Sequence, residues 1–333
     1  MKKYAVYGIG AALVDTEIKV RDEDLVRMNV DKGMMTLVDE ARQAEMLSHL
    51  RDHLVKASHA SGGSAGNSMI ATAQFGRPTF MSCKVAADSD GDIYLADLAA
   101  AGVDHNLNGT REAGTTGKCL VLITADAERS MNTYLGISET LSPAQLDADA
   151  IAASEYLYVE GYLVTSPTGL AAAVKAREIA EAAGVKTSLS FSDPGMVEFF
   201  REGIAQIIGG GLDLIFCNEV EAMGWAETDN LEVAIEKLKS VARRFVVTRG
   251  ASGAVTFDGK ALTEIPPHKV HAVDSNGAGD MFAGAFLYAL SQGEDFPTAG
   301  RFASLAAGEI VANYGPRLPA PAYAALRAEF FGE

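Results

Sequence analysis

Past residue 150 the chain falls into a repeating pattern of short apolar runs and longer stretches with helical spacing. Tyr156–Glu160, Val185–Phe191, Leu212–Cys217 and Phe245–Thr248 read as strands. Apart from Asp213, Leu212–Cys217 is apolar, the pattern of a parallel strand buried on both faces. Between these runs, 168–183 reads as a helix stopped by Gly184, Ser192-Asp193-Pro194 opens another, and Leu231–Ala242 gives a third. Ala254–Phe257 and Ala261–Ile265 form a hairpin around Asp258-Gly259, followed by helices near 277–291 and 297–313. The first half is less regular. Strands are expected at 4–10, 78–85, 117–124 and 129–135, and helices at 38–56, 69–75 and 90–101. Residues 16–38 carry no clear period. The succession predicts an α/β fold, a mostly parallel central sheet flanked by helices, within one domain spanning 1–333.

The chain of 333 residues is 48% hydrophobic and 22% charged, an ordinary globular composition. Its net charge of −16 argues against a nucleic-acid partner, though a local pocket could still hold a phosphorylated ligand. No apolar run reaches membrane-spanning length, and Met1-Lys2-Lys3-Tyr4 leads straight into a strand, so a cytoplasmic protein is expected. Cys83, Cys119 and Cys217 are widely spaced in apolar surroundings and read as buried free thiols. His49 and His53, four apart on one expected helix, read as a solvated face rather than a metal pair.

Chemistry concentrates in Asp274-Ser275-Asn276-Gly277-Ala278-Gly279-Asp280. The glycines permit a tight turn and close approach of a ligand. The small-residue helix that follows would present free N–H groups at its start, a seat for phosphate. A carboxylate beside such a seat, Asp280, can take a proton from a substrate hydroxyl; a plain first-turn helix residue is the alternative. Gly62-Gly63 followed by Asn67 lets a ligand touch backbone and meet an amide able to donate and accept; a capped loop is the alternative. Asp15 sits in a short polar turn. Asn218 and Glu221 lie where a strand ends, the usual ligand edge of an α/β sheet, but also fit an ordinary helix start. Two nucleotide fingerprints fail: Gly8-x-Gly10 has Leu13 at its third glycine position, and the stretch 109–119 has Glu112 and Cys119 where a P-loop needs Gly and Ser or Thr.

The 274–280 run resembles the signature of the ribokinase-like (PfkB) carbohydrate and nucleoside kinases, with Ser275 standing where the family has Thr. Gly-Gly-x-x-x-Asn at 62–67 resembles the family's second signature, and Arg129-Ser-Met-Asn-Thr-Tyr134-Leu-Gly resembles bacterial members classed with adenosine kinases. The resemblance implies a small β-rich lid, from approximately 11–40 and 105–137, and transfer of the ATP γ-phosphoryl group to a primary hydroxyl. Asp280 would be the base, and the N–H groups of Gly277, Ala278 and Gly279 the anion hole. Arg129 would approach the transferred phosphate. Asp15, Gly62, Gly63 and Asn67 would hold the acceptor, with Tyr134, Met35 and Leu37 as candidate base walls. Asn218, Thr248, Gly250, Gly253 and Asn313 would serve ATP, and Glu221 would reach Mg²⁺ through water. K⁺ stays open, with Asp274 as its position. Adenosine is the expected acceptor and a free sugar (ribokinase or fructokinase type) the alternative, ahead of a non-catalytic nucleoside or sugar sensor. Monomer and homodimer are both compatible with the resemblance.

Overall fold

The computed structural model describes residues 2–50, 58–107, 109–126 and 128–332. Nine strands form the main sheet: β1 (Tyr4–Ile9), β5 (Thr79–Ser82), β6 (Val103–His105), β9 (Ser154–Glu160), β10 (Lys186–Ser190), β11 (Leu214–Asn218), β12 (Phe245–Thr248), β13 (Ala254–Phe257) and β14 (Leu262–Ile265). Their order is β14-β13-β12-β11-β10-β9-β1-β5-β6, parallel from β6 to β12 and antiparallel from β12 through β13 to β14. Strand alternation sorts side chains to two cores. Leu214, Phe216 and Val246 pack to one face; Ile215, Cys217, Phe245 and Val247 pack to the other. The first core is closed by α3 (Ser64–Gln74), α4 (Ser89–Ala101), α11 (Ala278–Ser291), α12 (Phe296–Val311) and α13 (Ala320–Phe331). Six helices cover the second: α5 (Ala148–Ala152), α6 (Pro167–Ala182), α7 (Pro194–Phe199), α8 (Arg201–Ile208), α9 (Glu219–Ala226) and α10 (Leu231–Leu238).

Local chemistry sets the helix ends. Ser166 caps α6 through Gly169 N–H with Pro167 at the first position, and Asp193 caps α7 in the same way through Gly195 N–H. The apolar run Met281–Ala289 is buried on every side because α11 lies between α3 and α12. Thr72 of α3 donates to the Gly284 carbonyl at 2.9 Å, and Ser68 to that of Asp280 at 3.2 Å, so these two helices are tied at the site end.

A second sheet of five strands has the order β3-β8-β7-β2-β4: β3 (Met35–Leu37), β8 (Arg129–Tyr134), β7 (Gly117–Ile123), β2 (Leu13–Lys19) and β4 (Ser58–Gly62). It contains the expected lid segments and adds β4. Ile18, Leu120 and Leu122 on its outer face are covered by Leu25 of α1 (Asp22–Arg27) and by Met46 of α2 (Glu40–His49).

Three expectations are corrected. Asp15 lies inside strand β2, paired to Ala60 and Cys119, rather than in a turn. The helix at 69–75 begins five residues earlier, at Ser64. The expected 38–56 helix begins at Glu40 and is described as far as His49, which is exposed; residues 51–56, His53 among them, lie outside the described residues. The three cysteines are buried free thiols, and no helix among the described residues is long and apolar enough to cross a membrane.

Candidate active site

The parallel strands end along one edge, and the functional side chains gather there. Glu160 closes β9, Asn218 closes β11 and Thr248 closes β12. The chain leaves β1 for the lid and returns first to β5 on one side and later to β9 on the other. Ligands of open α/β sheets bind outside such a switch in strand order. A cleft of about 340 Å³ opens at this edge between main sheet and lid, and it takes in Asp15, Gly63, Asn67, Arg129, Glu221 and Asp280.

Asp280 is held from α3. Ser64 Oγ donates to its Oδ1 at 2.6 Å and Asn67 Nδ2 to its Oδ2 at 3.0 Å. Burial raises its pKa, while these donors and the charges of Arg129 and Arg317 pull it back. Asp15 is buried in the lid strand, and its Oδ1 has no hydrogen-bond partner. Burial, with the nearby charge of Glu17, pushes it up to about 7. A Cβ on Gly62 would run into the Asp15 carboxylate, so any larger residue there would push that carboxylate out of place. Asn67 is more committed than the sequence suggests. Its amide is bonded to Asp280 on one side and to Arg317 Nε, 3.2 Å away, on the other. One N–H and one lone pair remain for a ligand.

Gly277 sits at φ +72°, where a Cβ would lie 2.6 Å from the Pro316 carbonyl oxygen. This left-handed residue ends the turn and starts α11, whose first N–H groups have no intrahelical acceptor. Around Gly279 and Gly250 an added Cβ would meet nothing within 4 Å, which leaves open ground for a ligand against backbone. A neighbouring cavity of about 590 Å³ shares Thr248, Ala278 and Gly279 with the cleft and adds Gly250 and Gly253. These residues fit a nucleotide: glycine backbone and a helix N-terminus lie beside a hollow continuous with the cleft.

Arg129, on β8, donates through Nη1 to Asn276 Oδ1 at 2.8 Å, and its Nε lies 3.3 Å from Asp274 Oδ1. Asn276 Nδ2 donates to Glu17 Oε1 at 2.7 Å. The signature turn is therefore fastened to two lid strands. Asp274 also accepts from the N–H groups of Asn276 and Gly315. Donors and a guanidinium surround this carboxylate, so the arrangement does not fit K⁺ there. Glu221 accepts from the Asn218 backbone and amide at 3.0 and 2.8 Å, in a reciprocal capping box that starts α9. Burial pushes it to about 7. No group of three His, Cys, Asp or Glu side chains among the described residues could hold a metal directly. A Glu221 at the cleft wall fits a hydrated Mg²⁺ reached through water.

Of the expected residues, Gly62, Asp274, Tyr134 and Asn313 line neither cavity. Arg129, Met131, Thr133 and Leu135 line the cleft, so alternation turns Tyr134 to the opposite face of the lid sheet. Asn313 is exposed beyond α12, its amide donating to the Glu309 carbonyl at 2.9 Å, and it lines neither cavity. Conversely, Ser64, Glu160, Asn276 and Arg317 belong to the site and were not expected. Glu160 is buried, accepts from Ala11 N–H (3.2 Å) and Ala65 N–H (2.8 Å), and is pushed by burial to about 7.

An anion-seating helix start with a carboxylate beside it, at the ligand edge of a parallel sheet, is the arrangement of a phosphotransferase. The chain belongs to the pfkB family of carbohydrate kinases, whose profile matches residues 34–322. An adenosine kinase from Sinorhizobium meliloti is 33% identical, with a TM-score of 0.92 over 98% of this chain and 99% of its own. A protein described as a probable sugar kinase, from Rhizobium etli CFN 42, is also 33% identical, with a TM-score of 0.93 over 99% and 100%. The adenosine kinase of Saccharomyces cerevisiae is 28% identical over 93% of this chain and 96% of its own.

Proposed function

We propose that this ATP-dependent kinase phosphorylates the 5′-hydroxyl of adenosine, giving AMP and ADP. The observation that carries the reading is a cleft with two chemistries. It holds two carboxylates suited to hydroxyl groups, Asp280 at the start of α11 and Asp15 on the lid strand β2. Its lid wall is apolar, made by Leu13, Met35, Leu37, Met131 and Leu135. A free sugar has no use for such a wall, whereas a purine base does. Relatives described as adenosine kinases support the same acceptor.

In this mechanism the buried, unpartnered Oδ1 of Asp15 accepts from a ribose hydroxyl, and Gly63 and the remaining donor and acceptor of Asn67 complete the grip on the diol. Asp280 takes the proton of the 5′-hydroxyl as that oxygen bonds to the γ-phosphorus and the bond to the β,γ-bridging oxygen breaks. The N–H groups of Gly277, Ala278 and Gly279 stabilise the charge that develops on the transferred phosphoryl oxygens, and Arg129 approaches them from the lid. Thr248, Gly250 and Gly253 border the ATP, with Asn218 positioning Glu221. Mg²⁺, when bound, neutralises phosphate charge, and Glu221 reaches it through water.

The test is ADP release with Mg²⁺ and ATP against adenosine, inosine, guanosine, ribose, fructose and 2-keto-3-deoxygluconate. Turnover with adenosine is expected. Turnover with a free sugar alone would keep the phosphoryl-transfer chemistry and overturn the acceptor. The likeness to the Rhizobium etli protein gives that second reading its support. No turnover with any of them would favour a sensor.

A further inference from the structure

We propose that Arg317 is a positioning residue that orients the Asn67 amide and, through it, the carboxylate of Asp280. The inference rests on the kinase reading for its kinetic consequences but not for its geometry. Arg317 lies in the connection between α12 and α13 and lines neither cavity. Its guanidinium is held on three sides. Nε donates to Asn67 Oδ1 at 3.2 Å, Nη2 to Ser61 Oγ at 2.6 Å and Nη1 to Asp97 Oδ2 at 3.3 Å. Asp97 Oδ2 is itself fixed by the Ser61 N–H at 2.9 Å. These partners come from the lid strand β4, the core helix α4 and the site helix α3, so one fork joins three elements.

The orientation follows from donor and acceptor capacity. A guanidinium can only donate, and an ionised carboxylate can only accept. The Asn67 amide sits between the two. Only one of its two orientations satisfies both neighbours: oxygen toward Arg317 and NH₂ toward Asp280. Without Arg317 the amide can turn over and present its oxygen to Asp280, a contact that disfavours the ionised base. The segment carrying Arg317 is also anchored to the signature turn, because Gly315 N–H donates to Asp274 Oδ2 at 3.0 Å.

Other charged and titratable groups face Asp280 as well. Arg129 comes from β8, Asp15 from β2, Tyr158 and Glu160 from β9, and Tyr162 from the turn after it. Only the two arginines favour its ionised form by charge. Removing the Arg317 charge therefore raises the pKa of Asp280 and moves the acid limb of the pH–rate profile to higher pH.

The experiment compares wild type, Arg317→Met and Arg317→Lys. Carbon-13 NMR of labelled Asp carboxyls, with Asp280→Asn identifying the resonance, follows the titration of Asp280 in the free enzyme. Arg317→Met should titrate higher than wild type by at least ~0.5 pH unit, and Arg317→Lys should stay near wild type because the charge remains. With adenosine as acceptor, Arg317→Met should lose roughly 10- to 100-fold in kcat, the scale of a misplaced catalytic group, with little change in KM for ATP. Added guanidinium ion should restore part of that loss. Arg317→Lys should retain the wild-type acid limb with a reduced kcat, since one ammonium cannot replace the fork. An Asp280 titration that is the same in Arg317→Met and wild type overturns the proposal whatever the acceptor is. Should Arg317→Met fail to fold, Arg317→Gln carries the same titration, and an unmoved Asp280 there is equally fatal. A wild type inactive on adenosine would overturn the acceptor reading instead, and the NMR result would still decide the role of Arg317.

Discussion

Replacing Asp280 with Asn tests the base directly, because the site accepts the amide without rebuilding. The carboxylate receives Ser64 Oγ on one oxygen and Asn67 Nδ2 on the other. In the variant the carbonyl can still accept from Asn67. The new NH₂ then faces Ser64, whose hydroxyl can accept as readily as donate. No buried polar group is orphaned. Asp280→Ala, by contrast, would strand both donors at about 1–3 kcal/mol each and confuse a folding defect with a chemical one. The amide cannot take a proton from the acceptor hydroxyl. The kcat should fall by at least ~10², the low end of general-base contributions, which is about 2.7 kcal/mol of transition-state stabilisation. Steady-state ADP release with adenosine measures this, and calorimetric titration of ATP should give an affinity within roughly 3-fold of wild type, since the change leaves the binding groups in place.

Stability supplies an independent arm. The folded pKa of Asp280 is raised above its ordinary value of 3.8, chiefly by burial. A raised carboxylate makes the folded state bind protons more tightly than the unfolded chain, so its ionisation costs stability as pH rises. Asp280→Asn removes that cost. Its melting temperature should equal or exceed wild type at pH 8, and the difference should vanish as pH falls through the raised value toward 3.8. A variant that folds this well yet keeps kcat within about 3-fold of wild type would refute the assignment of Asp280 as base.

Gly277→Ala should destabilise the protein by about 1–3 kcal/mol in urea unfolding, because it forces a Cβ onto backbone at positive φ; a change below ~0.5 kcal/mol would show that the turn can relax. Asn276→Ala removes both hydrogen bonds that fasten the signature turn to β2 and β8, so hydrogen exchange in those strands should quicken and KM for adenosine rise; unchanged exchange would count against a fastened lid. Asp15 and Glu160 both titrate near 7 in the fold, above their ordinary 3.8 and 4.5. The melting temperature should therefore decline from pH 5 to pH 8, and Glu160→Gln should flatten that decline; parallel curves for variant and wild type would remove Glu160 from the account.

The main sheet was legible because strands such as β11 are buried on both faces and carry short apolar runs between stretches of helical spacing, and because its helices carry ordinary caps such as Ser166 and Asp193. The lid was not. Leu13–Lys19 and Ser58–Gly62 mix polar and small residues, and they pair with each other across some forty residues, so no local period marks them. Asp15 consequently reads as a turn residue although it is a strand residue.

The same physics explains which cleft residues stood out in the sequence. Asp280, Gly277, Gly63 and Asn67 stand in compact runs whose spacing is itself a signal. Arg317 stands in Gly-Pro-Arg, which reads only as a helix stop, and its meaning comes from Asn67, 250 positions away. Tyr134 is instructive, because the sequence itself indicates that it does not line the cleft. In a strand, residues an odd number apart face opposite sides. If Arg129 reaches the cleft from 129–134, then Met131 and Thr133 reach it too, and Tyr134 cannot. The strand's contribution to the cleft falls at the odd positions, and Met131 and Thr133 line it. Parity along a strand thus separates candidate cleft residues that their residue types alone do not.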